Sequence, residues 1–137
     1  MKKVICFGTF DILHLGHLNY FEQAKTLGDY LIVVIARDET KKKMNKEIIF
    51  NEQERLKLVQ SLKIVDKAVL GDLKDQFKTI KEENPAVICL GYDHPIKEEE
   101  LKQALEKLGL RPEIKRMKPY KQKEQNSSKL REILKQL

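Results

Sequence analysis

The fold is set by the stretch from Val4 to His17, which reads Val4-Ile5-Cys6-Phe7-Gly8-Thr9-Phe10-Asp11-Ile12-Leu13-His14-Leu15-Gly16-His17. Its first four residues are continuously apolar, as in a strand that is buried on both faces. From Leu15 to Leu27 apolar residues recur at intervals of three and four, which predicts a helix. The stretch therefore predicts a central strand that leads through a polar turn into a helix.

The same alternation continues along the chain. We predict further strands at Tyr30–Ala36, Ala68–Leu70, Ala86–Leu90 and Glu113–Met117, and further helices at Glu52–Leu62, Lys74–Glu82, Lys97–Leu108 and Ser128–Leu137. Strands that alternate with helices are joined by right-handed crossovers and form a parallel sheet. We therefore expect an α/β fold with a doubly wound parallel sheet of about five strands flanked by helices, in one domain over residues 1–137.

The glycines indicate where a ligand would bind. Gly28 and Gly109 follow helical runs and precede strands, which predicts left-handed helix stops. Gly8, Gly71 and Gly91 each follow a strand and open a loop. Ligands of doubly wound sheets bind beyond the carboxyl ends of the strands, so we expect the functional site near Gly8 and Gly91.

Composition excludes several classes of protein. The 137 residues are 35% charged and 41% apolar, and the apolar residues come in dense runs, which argues against disorder. No apolar run approaches 18 residues and no signal peptide is recognisable, so we expect a cytoplasmic protein without a membrane span. Cys6 and Cys89 lie in apolar runs without a second Cys or His at ligand spacing, which predicts buried thiols rather than a disulfide or zinc site.

The net charge of +6 is concentrated in two segments. Residues 41–66 hold 7 basic and 4 acidic residues, and residues 118–137 hold 6 and 2. Two basic segments around one site would suit a polyphosphate, and spread along a face they would suit nucleic acid. The third interpretation is an ordinary solvated surface.

His14 and His17 carry the chemistry of the turn. Three residues apart in a first helical turn, they would share one face. Gly16 leaves room for a bulky group at the helix N-terminus, whose free N–H groups favour phosphate. Two imidazoles there could donate hydrogen bonds to phosphate oxygens as charge develops. A metal site with Asp11, a pair of core histidines and an ordinary helix cap are the alternatives.

Gly-Thr-Phe-Asp followed by His-Leu-Gly-His resembles the signature of the cytidylyltransferase-like nucleotidyltransferases, and the resemblance covers the full length. It implies a Rossmann-like nucleotidyltransferase fold and in-line attack of a substrate phosphate on the α-phosphate of a nucleoside triphosphate. The catalytic residues that it implies are His14 and His17, which contact the triphosphate. Magnesium is expected with the triphosphate, held by the phosphates rather than by protein side chains.

Other residues fall at positions that the resemblance makes functional. Its nucleotide-binding set comprises Gly8, Thr9, Phe10, His14, Leu15, Gly16, His17, Asp93, Tyr120, Ser127, Ser128 and Arg131. The two serines open the last predicted helix, where an ordinary helix cap is the alternative. Lys41, Lys42 and Lys43 follow the second strand and are candidates for the acceptor's phosphate, or for a solvated loop.

The acceptor is predicted from smaller differences. Glycerol-3-phosphate cytidylyltransferases usually carry Arg-Thr-Glu-Gly-Ile-Ser before the last helix, whereas this chain has Gln122-Lys123-Glu124-Gln125-Asn126-Ser127. Ala36-Arg37-Asp38-Glu39-Thr40 is similar to archaeal-type FAD synthases, and so are Asp93 and Tyr120. The resemblance therefore implies ATP and FMN as substrates, with glycerol-3-phosphate cytidylyltransferase and sugar-phosphate adenylyltransferase as alternatives.

The resemblance also suggests a homodimer. A regulatory or nucleic-acid-binding protein on the same fold is the alternative from another class, but 7% aromatic residues without tryptophan offer no evident platform for stacking bases. We therefore expect small-molecule substrates, no nucleic acid and no membrane. Phe7, Phe10, Tyr20 and Phe21 are the nearest apolar candidates for a flavin slot, and core packing is their expected role.

Overall fold

The computed structural model describes residues 1–120, 132, 135 and 136. Its strands are β1 (Lys3–Gly8), β2 (Tyr30–Ile35), β3 (Lys67–Leu70), β4 (Val87–Leu90) and β5 (Glu113–Arg116). Its helices are α1 (Leu15–Lys25), α2 (Asp38–Lys43), α3 (Glu52–Gln60), α4 (Lys78–Glu83) and α5 (Glu98–Glu106). The predicted helix Ser128–Leu137 lies almost wholly outside the described residues.

The five strands form one parallel sheet in the order β3-β2-β1-β4-β5. The chain moves from β1 outward to β3 and then returns to the other side of β1 for β4. This reversal creates the switch point where doubly wound sheets bind ligands. The predicted doubly wound parallel sheet is therefore confirmed.

Two apolar clusters cover the two faces of the sheet. Alternate residues of β1 show the division, because Val4 and Cys6 lie in one cluster and Ile5 in the other. β1, β2 and β4 are buried on both faces, as their continuous apolar sequences predict. β3 departs from this prediction, since all four of its residues are only half-buried. The reason is its place at the edge of the sheet.

Two predictions about helix bounds need correction. Lys41 to Lys43 belong to a short helix, α2, rather than to a loop, and Asp38 and Glu39 in its first turn favour that helix. α4 begins at Lys78 rather than Lys74, because Asp72 accepts hydrogen bonds from the N–H groups of Lys74 and Asp75 in a preceding turn.

Different constraints require glycine at positions 28 and 109. Gly109 has a φ of +77°, which confirms the predicted left-handed stop after α5. Gly28 is not left-handed, so that prediction is wrong. A Cβ there would lie 2.5 Å from the Lys2 carbonyl oxygen and 2.6 Å from Cγ2 of Val4, so close packing excludes a side chain.

None of the helices described combines the length and apolar character needed to cross a lipid bilayer.

Candidate active site

A crevice opens between β1 and β4 at their carboxyl ends. The β1–β4 ladder ends at the pair Cys6 and Cys89, whereas β1 stays paired with β2 as far as Gly8. Tyr20 lies beneath the gap, with its hydroxyl 3.0 Å from the Cys89 carbonyl oxygen and 3.4 Å from that of Phe7. The first turn of α1 and the loop after β4 therefore form the two sides of one crevice.

His14 and His17 lie on the β1 side of this crevice. His14 is the N-cap of α1, and its Nδ1 accepts a hydrogen bond from the N–H of Gly16 at 3.0 Å. His17 returns the bond, because its Nδ1 accepts from the backbone N–H of His14 at 3.3 Å. The two rings stack with centroids 4.0 Å apart. The predicted common face is therefore confirmed, and it is built as a reciprocal cap.

This cap determines the protonation of both imidazoles. Since each Nδ1 accepts a backbone N–H, each neutral ring carries its proton on Nε2 and can only donate there. Burial lowers the pKa of His14 below its ordinary value, which favours the neutral form. Its Nε2 is buried and has no hydrogen-bond partner among the described residues. A buried donor without a partner is costly, and a ligand oxygen in the crevice would satisfy it.

Phe10 and Gly8 shape the turn between β1 and α1. Phe10 is buried and has a φ of +54°, a conformation that is strained for a bulky residue. Its ring packs against Phe21 and His17, with centroids 5.1 and 5.3 Å away. It also lies over Gly8, where a Cβ would be 2.4 Å from the ring. Gly8 therefore makes room for Phe10, and Phe10 itself can offer a ligand only its backbone.

Asp11 is a structural acceptor in the same turn. It is buried, and its two carboxylate oxygens accept the backbone N–H groups of Ile49 and Phe50, each at 2.8 Å. The carboxylate thus fixes the loop after α2 beside the histidines. Because both oxygens are already bonded, Asp11 is poorly suited to complete the metal site considered with His14 and His17.

Arg55 of α3 joins three segments of the site and was not identified from the sequence. Its side chain is fully buried. Nη1 donates to the carbonyl oxygens of Thr9 and Ala36 at 2.9 and 2.8 Å, Nε donates to Phe50 at 3.0 Å, and Nη2 donates to Asp38 at 2.6 Å. The sequence does hold one sign that Arg55 is buried. It lies four residues before Val59, and this spacing places both residues on the apolar face of α3.

A pair of acidic residues extends this network. Asp38 and Glu52 exchange hydrogen bonds, each carboxylate accepting the other's backbone N–H at about 3 Å, and Arg37 donates to Glu52 at 3.1 Å. The N–H of Asp38 and the guanidinium of Arg37 lower the pKa of Glu52. Arg37 and Asp38 do not pair with each other, as considered from the sequence; each pairs with a residue of α3.

The remaining candidate residues on this side of the crevice lie near the network of Arg55, Asp38 and Glu52. Thr9 is half-buried beside the crevice, while Leu15 is 57% exposed at the start of α1. Lys41 is half-buried, and the positive charge of Lys41 is one of the causes that lower the pKa of His94, after burial and Arg116. α2 after β2 and the loop after β4 thus influence each other electrostatically. Lys42 and Lys43 are exposed.

Asp93 belongs to the other side of the crevice. One oxygen of its carboxylate lies 3.6 Å from the position of a Cβ on Gly91, so the side chain folds back over the end of β4. Tyr120 is half-buried after β5. The predicted contacts of Ser127, Ser128 and Arg131 fall outside the described residues.

The two cysteines of the chain are buried in the core. Cys6 and Cys89 are buried free thiols, as predicted, and burial raises the pKa of Cys89 to about 12. Neither is a nucleophile in this state. Within the described part of the chain, no three His, Cys, Asp or Glu side chains gather to hold a metal ion.

Residues 5–133 match the cytidylyltransferase-like family. The chain is 44% identical over 137 residues to the FAD synthase of Thermoplasma acidophilum, covering 100% of this chain and 96% of that protein. It is 48% identical over 118 residues to the FAD synthase of Ferroglobus placidus, covering 86% and 77%. A crystal structure described as the lipopolysaccharide core biosynthesis protein from Thermoplasma volcanium is 47% identical, with a TM-score of 0.85, covering 88% and 98%.

Proposed function

The chain belongs to the cytidylyltransferase-like family, and on that premise we propose that it transfers AMP from ATP to the phosphate of FMN, giving FAD and pyrophosphate. The activity is that of the FAD synthases to which it is 40–48% identical over most of its length. The enzyme class, nucleotidyltransferase, follows from the same similarity.

The observation that carries the proposal is the pair of imidazoles at the N-terminus of α1. His14 and His17 present donors only, because each Nδ1 is already an acceptor for a backbone N–H. Neither ring in this arrangement can act as a general base. The arrangement therefore suits a reaction whose nucleophile is ionised without help, and a phosphate monoester carries most of its second negative charge at pH 7.

The chemical step then needs no covalent enzyme intermediate. A phosphate oxygen of FMN attacks the α-phosphorus of ATP and forms a new P–O bond. The bond from that phosphorus to the bridging oxygen of the β-phosphate breaks, and pyrophosphate leaves with the electron pair. His14 and His17 donate hydrogen bonds from Nε2 to the phosphate oxygens, where negative charge increases in the transition state.

Other residues bind and orient the substrates. Gly8, Thr9 and the backbone of Phe10 lie along the triphosphate, and Leu15 and Gly16 present the helix N-terminus to it. Asp93 and Tyr120 contact the adenosine, and Ser127, Ser128 and Arg131 bind the phosphates from the C-terminal segment. Lys41, Lys42 and Lys43 hold the phosphate of the acceptor.

A divalent cation such as Mg²⁺ accompanies ATP. The donor chemistry here fits a cation carried mainly by phosphate oxygens and water, because both oxygens of Asp11 are already bonded within the protein. When bound, the ion would neutralise negative charge on the triphosphate, which would favour departure of pyrophosphate.

A second acceptor has one specific observation in its favour. The relative of known structure from Thermoplasma volcanium is described as a lipopolysaccharide core biosynthesis protein, which agrees with the sugar-phosphate adenylyltransferase considered from the sequence. The family resemblance also leaves glycerol 3-phosphate with CTP as an acceptor and donor pair. The curated FAD synthases favour FMN.

Product formation distinguishes these substrates. Purified protein with Mg²⁺ is incubated with ATP and FMN, with ATP and heptose 1-phosphate, or with CTP and glycerol 3-phosphate, and the products are separated by chromatography. We expect FAD from the first mixture alone, and none from H17A under the same conditions. A nucleotide sugar or CDP-glycerol without FAD would overturn the proposed acceptor while leaving the phosphate chemistry intact.

We further propose that residues 1–137 act as a single nucleotidyltransferase domain and that two copies form a homodimer. The exposed Leu15 and Leu18 give α1 an apolar surface next to the site. Light scattering after gel filtration tests the homodimer, which should have twice the 16.1 kDa mass of the chain. A mass of one chain at micromolar concentration would contradict it.

A further inference from the structure

Arg116, the last residue of β5, makes an unusual set of contacts with the loop between β4 and α5. Its Nη1 donates to the carbonyl oxygens of Gly91 and His94 at 3.0 and 2.9 Å. Nη2 donates to the carbonyl oxygen of Ile96 at 2.7 Å and to Glu98 at 2.5 Å, and Nε donates to the same carboxylate oxygen at 3.1 Å. One guanidinium therefore binds three carbonyls of a seven-residue loop, residues 91–97, and the first residue of α5.

These contacts give the loop a definite orientation. β5 lies on the side of β4 that faces away from β1, so carbonyls that converge on Arg116 are turned away from the crevice. The N–H of His94 donates to the Gly91 carbonyl oxygen at 3.1 Å, which closes a turn with Tyr92 and Asp93 at its corner. The backbone N–H groups of these two residues have no acceptor among the described residues.

The loop also fixes His94. Nδ1 of this imidazole accepts the N–H of Ile96 at 3.2 Å, so its neutral form carries the proton on Nε2. Burial and the charge of Arg116 lower the pKa of His94. The loop thus presents N–H donors and the Asp93 carboxylate, while three of its carbonyls, those of Gly91, His94 and Ile96, accept hydrogen bonds from Arg116.

We propose that Arg116 is a positioning residue for the nucleotide: by binding the carbonyls of Gly91, His94 and Ile96 it holds the loop after β4 in the shape that receives ATP. This inference rests on the proposed function, because it takes Asp93 and its turn as the ATP side of the crevice. A loop that is already ordered does not lose conformational freedom on binding, so the contribution of Arg116 is to affinity for ATP. The chemical step depends on the histidines across the crevice.

The kinetic signature separates this role from a general contribution to stability. In R116M the loop must become ordered when ATP binds, so we expect KM for ATP to rise by roughly 10-fold with kcat and KM for FMN within a factor of about two. In R116K one ammonium replaces the planar fork and cannot bind three carbonyls together with Glu98. We expect a smaller rise in KM for ATP from that variant. R111M removes an exposed arginine from the segment before β5 and is the matched control.

Binding of ATP without FMN is measured in parallel by titration calorimetry. Weaker ATP binding by R116M and R116K, with R111M equal to the unaltered protein, supports the proposal. Equal ATP affinity in all four proteins overturns it, and so does a parallel fall of kcat with an unchanged KM. If R116M does not fold, R116K and E98Q decide by the same criterion. Failure of the unaltered protein to form FAD while it binds ATP contradicts the proposed acceptor and leaves the role of Arg116 to be judged by binding.

Discussion

Replacing His14 with asparagine should separate catalysis from stability. Asparagine is among the best N-cap residues, and its side-chain oxygen can accept the N–H of Gly16 as Nδ1 of His14 does. The substitution therefore keeps the cap of α1. It removes the Nε2 donor, which is buried without a partner among the described residues. The N–H groups of the shorter asparagine amide lie closer to the backbone than Nε2 does and do not replace this donor.

The substitution changes the free energy of unfolding through two effects of opposite sign. Relief of an unpaired buried donor is worth about 1–3 kcal/mol. Loss of the stacked contact with His17 costs about 0.5–1.5 kcal/mol. The free energy of unfolding should thus be unchanged or higher by about 1 kcal/mol, which raises Tm by roughly 3 °C in a chain of this size. Loss of a donor to the transition state should lower kcat by about 10²–10³-fold.

Thermal unfolding by circular dichroism and FAD formation by chromatography give the two quantities. H14A is the companion variant, because it lacks both donor and cap and should be less stable than H14N by about 1 kcal/mol. N51A removes the equivalent cap of α3 and should lower Tm without a comparable loss of kcat. A marked fall in Tm for H14N, or a kcat close to that of the unaltered protein, would refute the assignment of the buried Nε2 to catalysis.

Three further outcomes follow from the same contacts. R55M should lower the free energy of unfolding in urea by about 2–4 kcal/mol. It leaves three carbonyls without their buried donor, and it leaves the carboxylate of Asp38, which is 42% exposed, without its ion-pair partner. A change below about 1 kcal/mol would contradict the importance of this network. G8A should lose about 1–3 kcal/mol, because its Cβ meets the Phe10 ring, whereas G91A, with only one contact at 3.6 Å, should unfold like the unaltered protein. Stability should fall as pH drops below about 6.5, since the unfolded chain then binds protons that the lowered pKa of His14 and of His94 excludes from the fold; a Tm that is flat from pH 7.5 to 5 would contradict both shifts.

The fold was predictable because its strongest signals are local. Continuous apolar runs and helical periodicity identified the five strands and the order of most helices, and crossover handedness then limited the sheet to few arrangements. One error occurs where long-range packing overrides a local pattern. Gly28 looked like a helix stop, yet the Lys2 carbonyl oxygen excludes a Cβ there. A solvated loop was the alternative considered for Lys41 to Lys43, and α2 was missed for a local reason. Its six residues are too few to show helical periodicity, although its acidic first turn favours a helix.

The candidate site was predictable where chemistry lies in consecutive residues. The spacing of His14 and His17 was enough to place both imidazoles on one face, and the structure adds why each ring can only donate. Arg55 and Arg116 were missed because their partners are backbone carbonyls of segments distant in sequence. A side chain that binds carbonyls has no partner residue type to search for, so its role emerges only from the three-dimensional fold.

The two arginines explain how the loops of this crevice can be rigid although unpaired donors within it do not stabilise the fold. Arg55 fixes the turn with Thr9 on one side, and Arg116 fixes the loop with Asp93 on the other. Each arginine occupies backbone carbonyls beside the crevice. The cap of α1 leaves Nε2 of His14 as a donor, and this atom has no partner among the described residues. A site lined with unpaired donors is unfavourable until an anion enters. A donor that does not stabilise the free protein gains its hydrogen bond when phosphate binds. That bond becomes stronger as negative charge develops on the phosphate oxygens in the transition state.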